Sequence, residues 1–318
     1  MIVVFSALQA FSTLKLCVLF ISLLMVVTRN NSTDSSNSSA ADKVAIEQFI
    51  EIRQINLNTA RAPTFAMADS LIGRDTFIMA LQEPRVVANK LCHLPPNIGK
   101  LNTANRSRAA LIYSNNLSMW SLEKFSGRDT ETALWNTNLP NYPKILLCSL
   151  YRAEADDSGK IKKLEADTFF PKEFTELVKY AYDKRLPLIV CSDINAHSTL
   201  WGNETDARGE LAEEFIHQFG LKVENVGRVP TFVGRDSNTV VDVTLTLNCD
   251  CVSGWEVDEE GYGSDHLPIS FLLPTTAYSK SQETTGELTG RSSMISWTNP
   301  LTNGKYPPSL ISSGLTLL

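Results

Sequence analysis

The sequence predicts an α/β fold of the α+β type, in which two mixed β-sheets pack as a sandwich flanked by helices. Three observations predict it. Roughly nine short apolar runs between Val44 and Leu273 read as strands, bounded by Pro, Gly or polar residues. Only a few segments have helical spacing. Strands and helices do not alternate strictly, which disfavours a doubly wound parallel sheet.

In chain order, Phe49–Asn58 reads as a strand ending in two asparagines. Ala62–Asp75 has helical spacing, with Pro63 early and apolar residues at Phe65, Ala68, Leu71 and Ile72. Thr76–Leu81 is a buried strand that stops at Gln82-Glu83-Pro84. Lys90–Arg106, with its Pro, Gly and Asn, reads as a loop. Arg108–Tyr113 and Lys144–Tyr151 are further apolar strands, and Ala153–Gly159 is an acidic loop. Pro171–Lys184 is an amphipathic helix through Phe174, Leu177, Val178 and Ala181. Leu188–Cys191 is a core strand that breaks off at Ser192-Asp193-Ile194-Asn195-Ala196-His197. Arg208–Phe219 is a helix whose charges read as a solvated face. Val240–Leu247 alternates, with Asp242, Thr244 and Thr246 on one side. Gly261–Pro268 is a polar loop before a last strand at Ile269–Leu273.

The ends of the chain differ from this middle. Residues 1–28 form an apolar leader with Lys15 its only charge before Arg29, of the length of a signal peptide, a membrane anchor or a stretch without a role. Residues 29–43 are a Ser/Asn-rich linker. The domain is expected over 44–275, and 276–318 as a disordered tail. The net charge of −6 and pI near 5.4 argue against a protein that coats nucleic acid through bulk positive charge. They leave room for local grip through a metal. The six cysteines include no CxxC pair, so neither a zinc site nor a disulfide framework is indicated, and Cys148 and Cys191 read as buried thiols.

Several strands end in a carboxylate or an amide: Asn56 and Asn58, Glu83, Asp193 with Asn195 and His197, Asp242, and Asp265 beside His266. Tyr151 closes its strand in the same way. Residues 193, 195 and 197 are two apart, so an extended backbone sets them on one side. A polar strand exit with local hydrogen bonds explains any one such ending. Repeated carboxylates at buried ends need a positive partner, because burying them unpaired is costly. A hard divalent cation, Mg²⁺ with Mn²⁺ as an alternative, fits oxygen donors, and the lack of zinc spacing disfavours zinc. A catalytic His such as His266, next to Asp265, needs a carboxylate to fix its tautomer, which Asp242 could supply, and the pattern suits metal-assisted hydrolysis of a phosphodiester.

The order of motifs resembles the endonuclease/exonuclease/phosphatase superfamily. The matches are Gln54–Asn58, Leu81–Pro84, Ser149–Tyr151, Ser192–His197, the strand of Asp242, and Ser264–Pro268. QINLN, QEP and DINAHSTLWG are similar to the endonuclease domain of arthropod non-LTR retrotransposons. The resemblance implies a four-layer α/β/β/α, deoxyribonuclease-like sandwich and a DNA endonuclease that nicks one strand and leaves a 3′-hydroxyl. It implies Glu83 as principal metal ligand with Asn56, and Asp265 near the metal. Asp193 would orient or deprotonate the attacking water. His266, paired with Asp242, would face the scissile phosphate. Asn195 and Tyr151 would hold its oxygens, with Asn58 in support. His197 and Trp201 read as loop supports. Arg106, Arg108, Arg228 and Arg235 are candidates for DNA backbone contact, and the stretches Leu117–Asn141 and Val226–Asn238 for specificity loops.

The resemblance implies a nuclear location, or a secreted or anchored one if the leader acts, in which case a membrane becomes a partner. DNA is the expected partner, and no obligate protein partner is readable. Retrotransposon relatives would continue into a reverse transcriptase, which this sequence lacks. After Tyr151 the chain reads RAEAD, where many relatives carry a Pro- or Asn-containing turn. The alternatives are a phosphatase or phospholipase of the same fold, a secreted nuclease, and an inactive truncated relic. Leu267 after His266 and the lack of a Cys-Asp-Arg motif stand against the phosphatase, and competent residue types at every matched position stand against decay.

Overall fold

The structure is a computed structural model that describes residues 49–137, 139, 141–153, 165 and 168–274. The leader, the linker and the tail lie outside the described residues, as does most of the acidic loop after Ala153. The strands are β1 (Phe49–Asn56), β2 (Phe77–Gln82), β3 (Val86–Val87), β4 (Lys90–Leu91), β5 (Ile98–Leu101), β6 (Ala109–Ser114), β7 (Ser118–Ser121) and β8 (Thr130–Asn136). They continue with β9 (Lys144–Tyr151), β10 (Leu188–Asp193), β11 (Lys222–Val223), β12 (Phe232–Val233), β13 (Asn238–Thr239), β14 (Asp242–Leu247), β15 (Ser253–Val257) and β16 (Ile269–Pro274). The helices are α1 (Arg61–Ser70), α2 (Lys172–Lys184) and α3 (Ala207–Phe219).

Two six-stranded mixed sheets dominate, in the orders β15-β16-β1-β2-β6-β5 and β11-β14-β10-β9-β8-β7. Their facing sides share one core, built from Ile52, Ile78, Leu111, Ile145, Leu147 and Phe271 among others. Helix α1 covers the outer face of the first sheet through Met67 and Leu71, against Ile55, Met79 and Ile112. Helices α2 and α3 cover the outer face of the second, where Phe174, Leu177, Phe215 and Ile216 meet Leu146, Val190 and Leu245. The result is the four-layer α/β/β/α sandwich. Among the described residues no helix is long and apolar enough to cross a membrane.

The helix expected over Ala62–Asp75 is shorter and turned. It ends at Ser70 and buries Pro63, Thr64, Met67 and Ala68, leaving Phe65 and Ile72 in solvent. The loop expected over Lys90–Arg106 contains β5, an edge strand whose Gly99 lies under the Tyr113 ring; a Cβ there would meet that ring at 2.3 Å. The specificity loop expected over Leu117–Asn141 contains β7 and β8 of the second sheet, with β8 paired to β7 on one side and to β9 on the other. Val226–Asn238 does leave the sheets and forms the small β12–β13 hairpin. Cys249 and Cys251 are joined in a disulfide, which the sequence did not indicate, while Cys148 and Cys191 are buried free thiols as expected. The side of β14 that carries Asp242, Thr244 and Thr246 is also buried: Thr244 accepts from Trp255 Nε1 and Thr246 donates to Glu224.

Candidate active site

Period-two alternation carries the sandwich core into the site. On β1 the side facing the other sheet reads Ile50, Ile52, Gln54, Asn56. On β2 it reads Ile78, Ala80, Gln82, and on β10 Ile189, Cys191, Asp193. Each line turns from apolar to polar at the same end, because β1 and β2 run parallel, as do β9 and β10. The last apolar layer is closed by amides. Gln54 Nε2 donates to Ser192 O at 2.8 Å, and Gln82 Nε2 reaches Ser149 Oγ and Cys191 O at 3.0 Å. These bonds lock the two sheets together directly beneath the polar cluster.

Asn56 sits at its centre. Its Nδ2 donates to Asp193 Oδ2 at 2.8 Å and to Glu83 Oε2 at 3.4 Å. The Asn58 N–H donates to Asn56 Oδ1 at 2.7 Å, which fixes the orientation of the amide. Asn56, expected beside Glu83 as a metal ligand, accepts the Asn58 N–H at its Oδ1 and joins the two carboxylates through its Nδ2. Glu83 has left-handed backbone, φ 44°, held by its N–H on Arg108 O and by Thr59 N–H on its carbonyl, both 2.8 Å. Such a conformation costs on the order of 1 kcal/mol for a non-glycine residue and is common at functional sites. Tyr151 hydrogen-bonds Glu83. Burial, and then the negative charges of Glu83 and Asp193, push its hydroxyl far up, so it stays a neutral donor.

Asp193 is fully buried. Its acidity is weakened by that burial and by the nearby Asp242 carboxylate, against the pull of His266 and of the Asn56 and Asn195 donors. His266 Nδ1 lies 2.8 Å from Asp242 Oδ2, and its Nε2 lies 3.9 Å from Asp193 Oδ2. Burial alone would lower the imidazole pKa, but Asp242, then Asp193 and Asp265, raise it to about 9. His266 is therefore a cation at neutral pH with its free nitrogen toward Asp193. Asp265 accepts from Asn58 Nδ2 at 3.0 Å and from Ser264 Oγ at 3.2 Å.

The donor set fits a hard divalent cation. Asp193, Asp242 and His266 converge within 4.8 Å of one another, but a protonated His266 has no lone pair for a metal, so the carboxylates are the donors there. Glu83 and Asp265 supply further carboxylate oxygens, both tied to the Asn56–Asn58 turn. Asp242 Oδ1 is buried without a partner among the described residues. The thiols of Cys148 and Cys191 are no competitors: burial pushes Cys191 up to about 12 and Cys148 higher still.

The expected alignment of Asp193, Asn195 and His197 on one extended edge does not occur. The strand ends at Asp193, and Asn195, at φ 46°, turns back so that its N–H meets Asp193 Oδ1 at 3.1 Å. Asparagine adopts this conformation more readily than most residues. His197 instead meets Asp206 at 3.2 Å, and the Trp201 indole donates to Ala196 O, so both support the loop. Asn195, His197 and His266 nevertheless line one cavity of about 310 Å³, roofed by Phe232 of the β12–β13 hairpin.

The arginines sort differently. Arg108 makes a two-pronged ion pair with Asp129 at 2.6 and 2.7 Å and lies over the Tyr151 ring. Arg106 lines a groove of about 680 Å³ that opens beside Glu83 and also holds Arg85, Arg108 and Arg128. Arg228 and Arg235 belong to the Val226–Asn238 segment on the His266 side, and both are exposed. Arg85, Arg128, Arg152 and Arg208 escaped the sequence reading. Arg208 was expected on a solvated helix face, and no local pattern marks it.

A family model described as endonuclease-reverse transcriptase matches residues 145–270, a span that includes Tyr151, Asp193, Asn195, Asp242 and His266. The endonuclease domain of TRAS1, a telomere-specific non-LTR retrotransposon, superposes with a TM-score of 0.55 at 25% identity, over 72% of this chain and 99% of that domain. The family match and the superposition together bear out the resemblance to the endonuclease/exonuclease/phosphatase superfamily. The catalytic domain of Xenopus laevis APE2 shares the fold, with a TM-score of 0.53 at 16% identity over 72% of this chain and 94% of that one. No curated protein sequence matches. Proteins of that superfamily fold are hydrolases of phosphodiesters or phosphate esters, and this chain is similar to the retrotransposon endonuclease.

Proposed function

We propose that the chain is a Mg²⁺-dependent DNA endonuclease of retrotransposon origin, able to use Mn²⁺, which nicks one strand of a duplex and leaves a 3′-hydroxyl. The observation that carries this reading is the Asn56-bridged pair of carboxylates, Asp193 and Glu83, beside the His266–Asp242 pair. Two kinds of carboxylate are present at once: a deeply buried one of weakened acidity, and half-buried ones suited to a cation. The likeness to the TRAS1 domain supports DNA as substrate and a nuclear location. Residues 44–275 are the unit that would carry the activity.

Glu83 and Asp265 would hold the metal, which when bound supplies positive charge to the phosphate oxygens and to the departing oxygen. Asp193, aimed by Asn56, takes a proton from the attacking water. The water oxygen forms the new bond to phosphorus as the P–O3′ bond breaks, and O3′ leaves to become the hydroxyl, its proton supplied by solvent. The His266 cation, held by Asp242, faces the phosphate and steadies the added negative charge. Tyr151 and Asn195 donate to the non-bridging oxygens. The groove of Arg85, Arg106 and Arg128 offers the flanking DNA backbone a row of guanidiniums. The test is an end-group analysis. A labelled duplex is treated with protein and Mg²⁺, and the nicked product is offered to a DNA polymerase. Extension from the nick supports the reading; a product that is blocked at its 3′ end overturns it.

A further inference from the structure

The catalytic loop after β10 is gripped from outside by the first turn of α3. Arg208 Nε donates to Asn195 O. Its NH2 group reaches Ile194 O at 3.3 Å and Arg152 O at 3.4 Å. Arg152 O also accepts from Asn195 Nδ2 at 3.2 Å. One guanidinium thus ties the end of β9, where Tyr151 stands, to the turn that holds Asn195. Its neighbours complete the clamp. The Asp206 side chain caps the Gly209 N–H at 2.6 Å and pairs with His197. Gly209 lies so close to His197 O that a Cβ would sit 1.7 Å from it.

We infer that Arg208 is a positioning residue for the phosphate subsite, setting the distance between Tyr151 and Asn195 and the plane of the Asn195 amide. Asn195 has two amide hydrogens, and the Arg152 carbonyl takes one. The other is then aimed by the frame that Arg208 holds. A planar five-donor fork serves three converging carbonyls; an ammonium group cannot match that geometry. Charge is not its main contribution, because Arg152, buried against the same Phe169 ring, already stands there.

The kinetic arm of the test rests on the endonuclease reading, and the other arm does not. In the first arm, hydrogen exchange is followed in the full chain and in Arg208→Lys, with Arg208→Gln as a second variant where the lysine variant does not fold. Peptides covering 194–198 should exchange about tenfold faster, with those from α2 unchanged. Unchanged exchange in 194–198 overturns the inference. In the second arm, nicking is measured for Arg208→Lys, Asn195→Ala and the double variant. Arg208→Lys should lower kcat about 10- to 100-fold with KM changed less than about threefold, the scale expected for a small misplacement. On the Asn195→Ala background it should cost less than about twofold. Effects that multiply, or a lysine variant with full kcat, overturn the role. Wild-type protein that folds and does not nick counts against the endonuclease reading, and the exchange arm still decides this one.

Discussion

Replacing Asp242 with Asn leaves a group of nearly the same shape against His266 and removes the charge that holds its proton. In the folded wild type the imidazole pKa is about 9; in the unfolded chain it is about 6.5. A group raised on folding contributes its full stability below the unfolded value and loses it as pH rises through the folded one. The site is almost closed to water, with 9% of the His266 side chain exposed, so solvent screening takes little from this difference. With Asn at 242, His266 returns toward its ordinary value, and the linked stability goes with it. The gap between wild type and Asp242→Asn should therefore be about 3 kcal/mol near pH 5.5, about 2 kcal/mol near pH 7.5 and close to zero above pH 9.5, beyond any constant offset from the amide itself. Urea unfolding in EDTA across that range measures it without interference from bound metal. A gap that is flat with pH, or that widens above pH 9, refutes the charged His266–Asp242 pair.

Asp193→Asn should abolish nicking, by a factor of about 10³ or more, while raising stability at neutral pH, because the wild type holds a carboxylate of weakened acidity in a buried place; nicking assays and urea unfolding together check this. Asn56→Ala removes the donor that stabilises the Asp193 anion, so the acid limb of the pH–rate profile should move to higher pH and kcat should fall about 10- to 100-fold. Arg106→Ala should weaken DNA binding and reduce the slope of log affinity against log salt by about 1, measured by fluorescence anisotropy, with kcat kept. Gly209→Ala should cost about 3 kcal/mol or prevent folding, since its Cβ meets backbone, read from the unfolding midpoint.

Much of this molecule was legible in the chain, for a physical reason. Strands such as Lys144–Tyr151 and Leu188–Asp193 are buried on both faces, so their apolar runs are continuous and their ends abrupt. The same burial puts the carboxylates of Asp193 and Asp242 where only a charged partner makes sense, which is why the strand ends pointed to chemistry. What stayed hidden depends on pairing across the fold. β5 and β8 are strands because of what lies beside them, and their own residues carry Gly, Thr and Glu that read as loop. The turn at Asn195 is hidden in the sequence because alternation stops where the sheet stops. Asn56 shows a subtler limit: residue type places it in the site, but only the Asn58 N–H decides which end of its amide faces the carboxylates. Arg208 looks like any surface helix residue until the loop it grips is seen.

The most direct test is the conversion of supercoiled plasmid to nicked circles by the full chain, with Mg²⁺ and with EDTA, beside an Asp193→Ala, His266→Ala double variant. Nicking is expected in Mg²⁺, with none in EDTA and none from the double variant. Nicking that survives EDTA, or that the double variant retains, contradicts the site; a folded protein that leaves the plasmid intact in Mg²⁺ and in Mn²⁺ contradicts the activity.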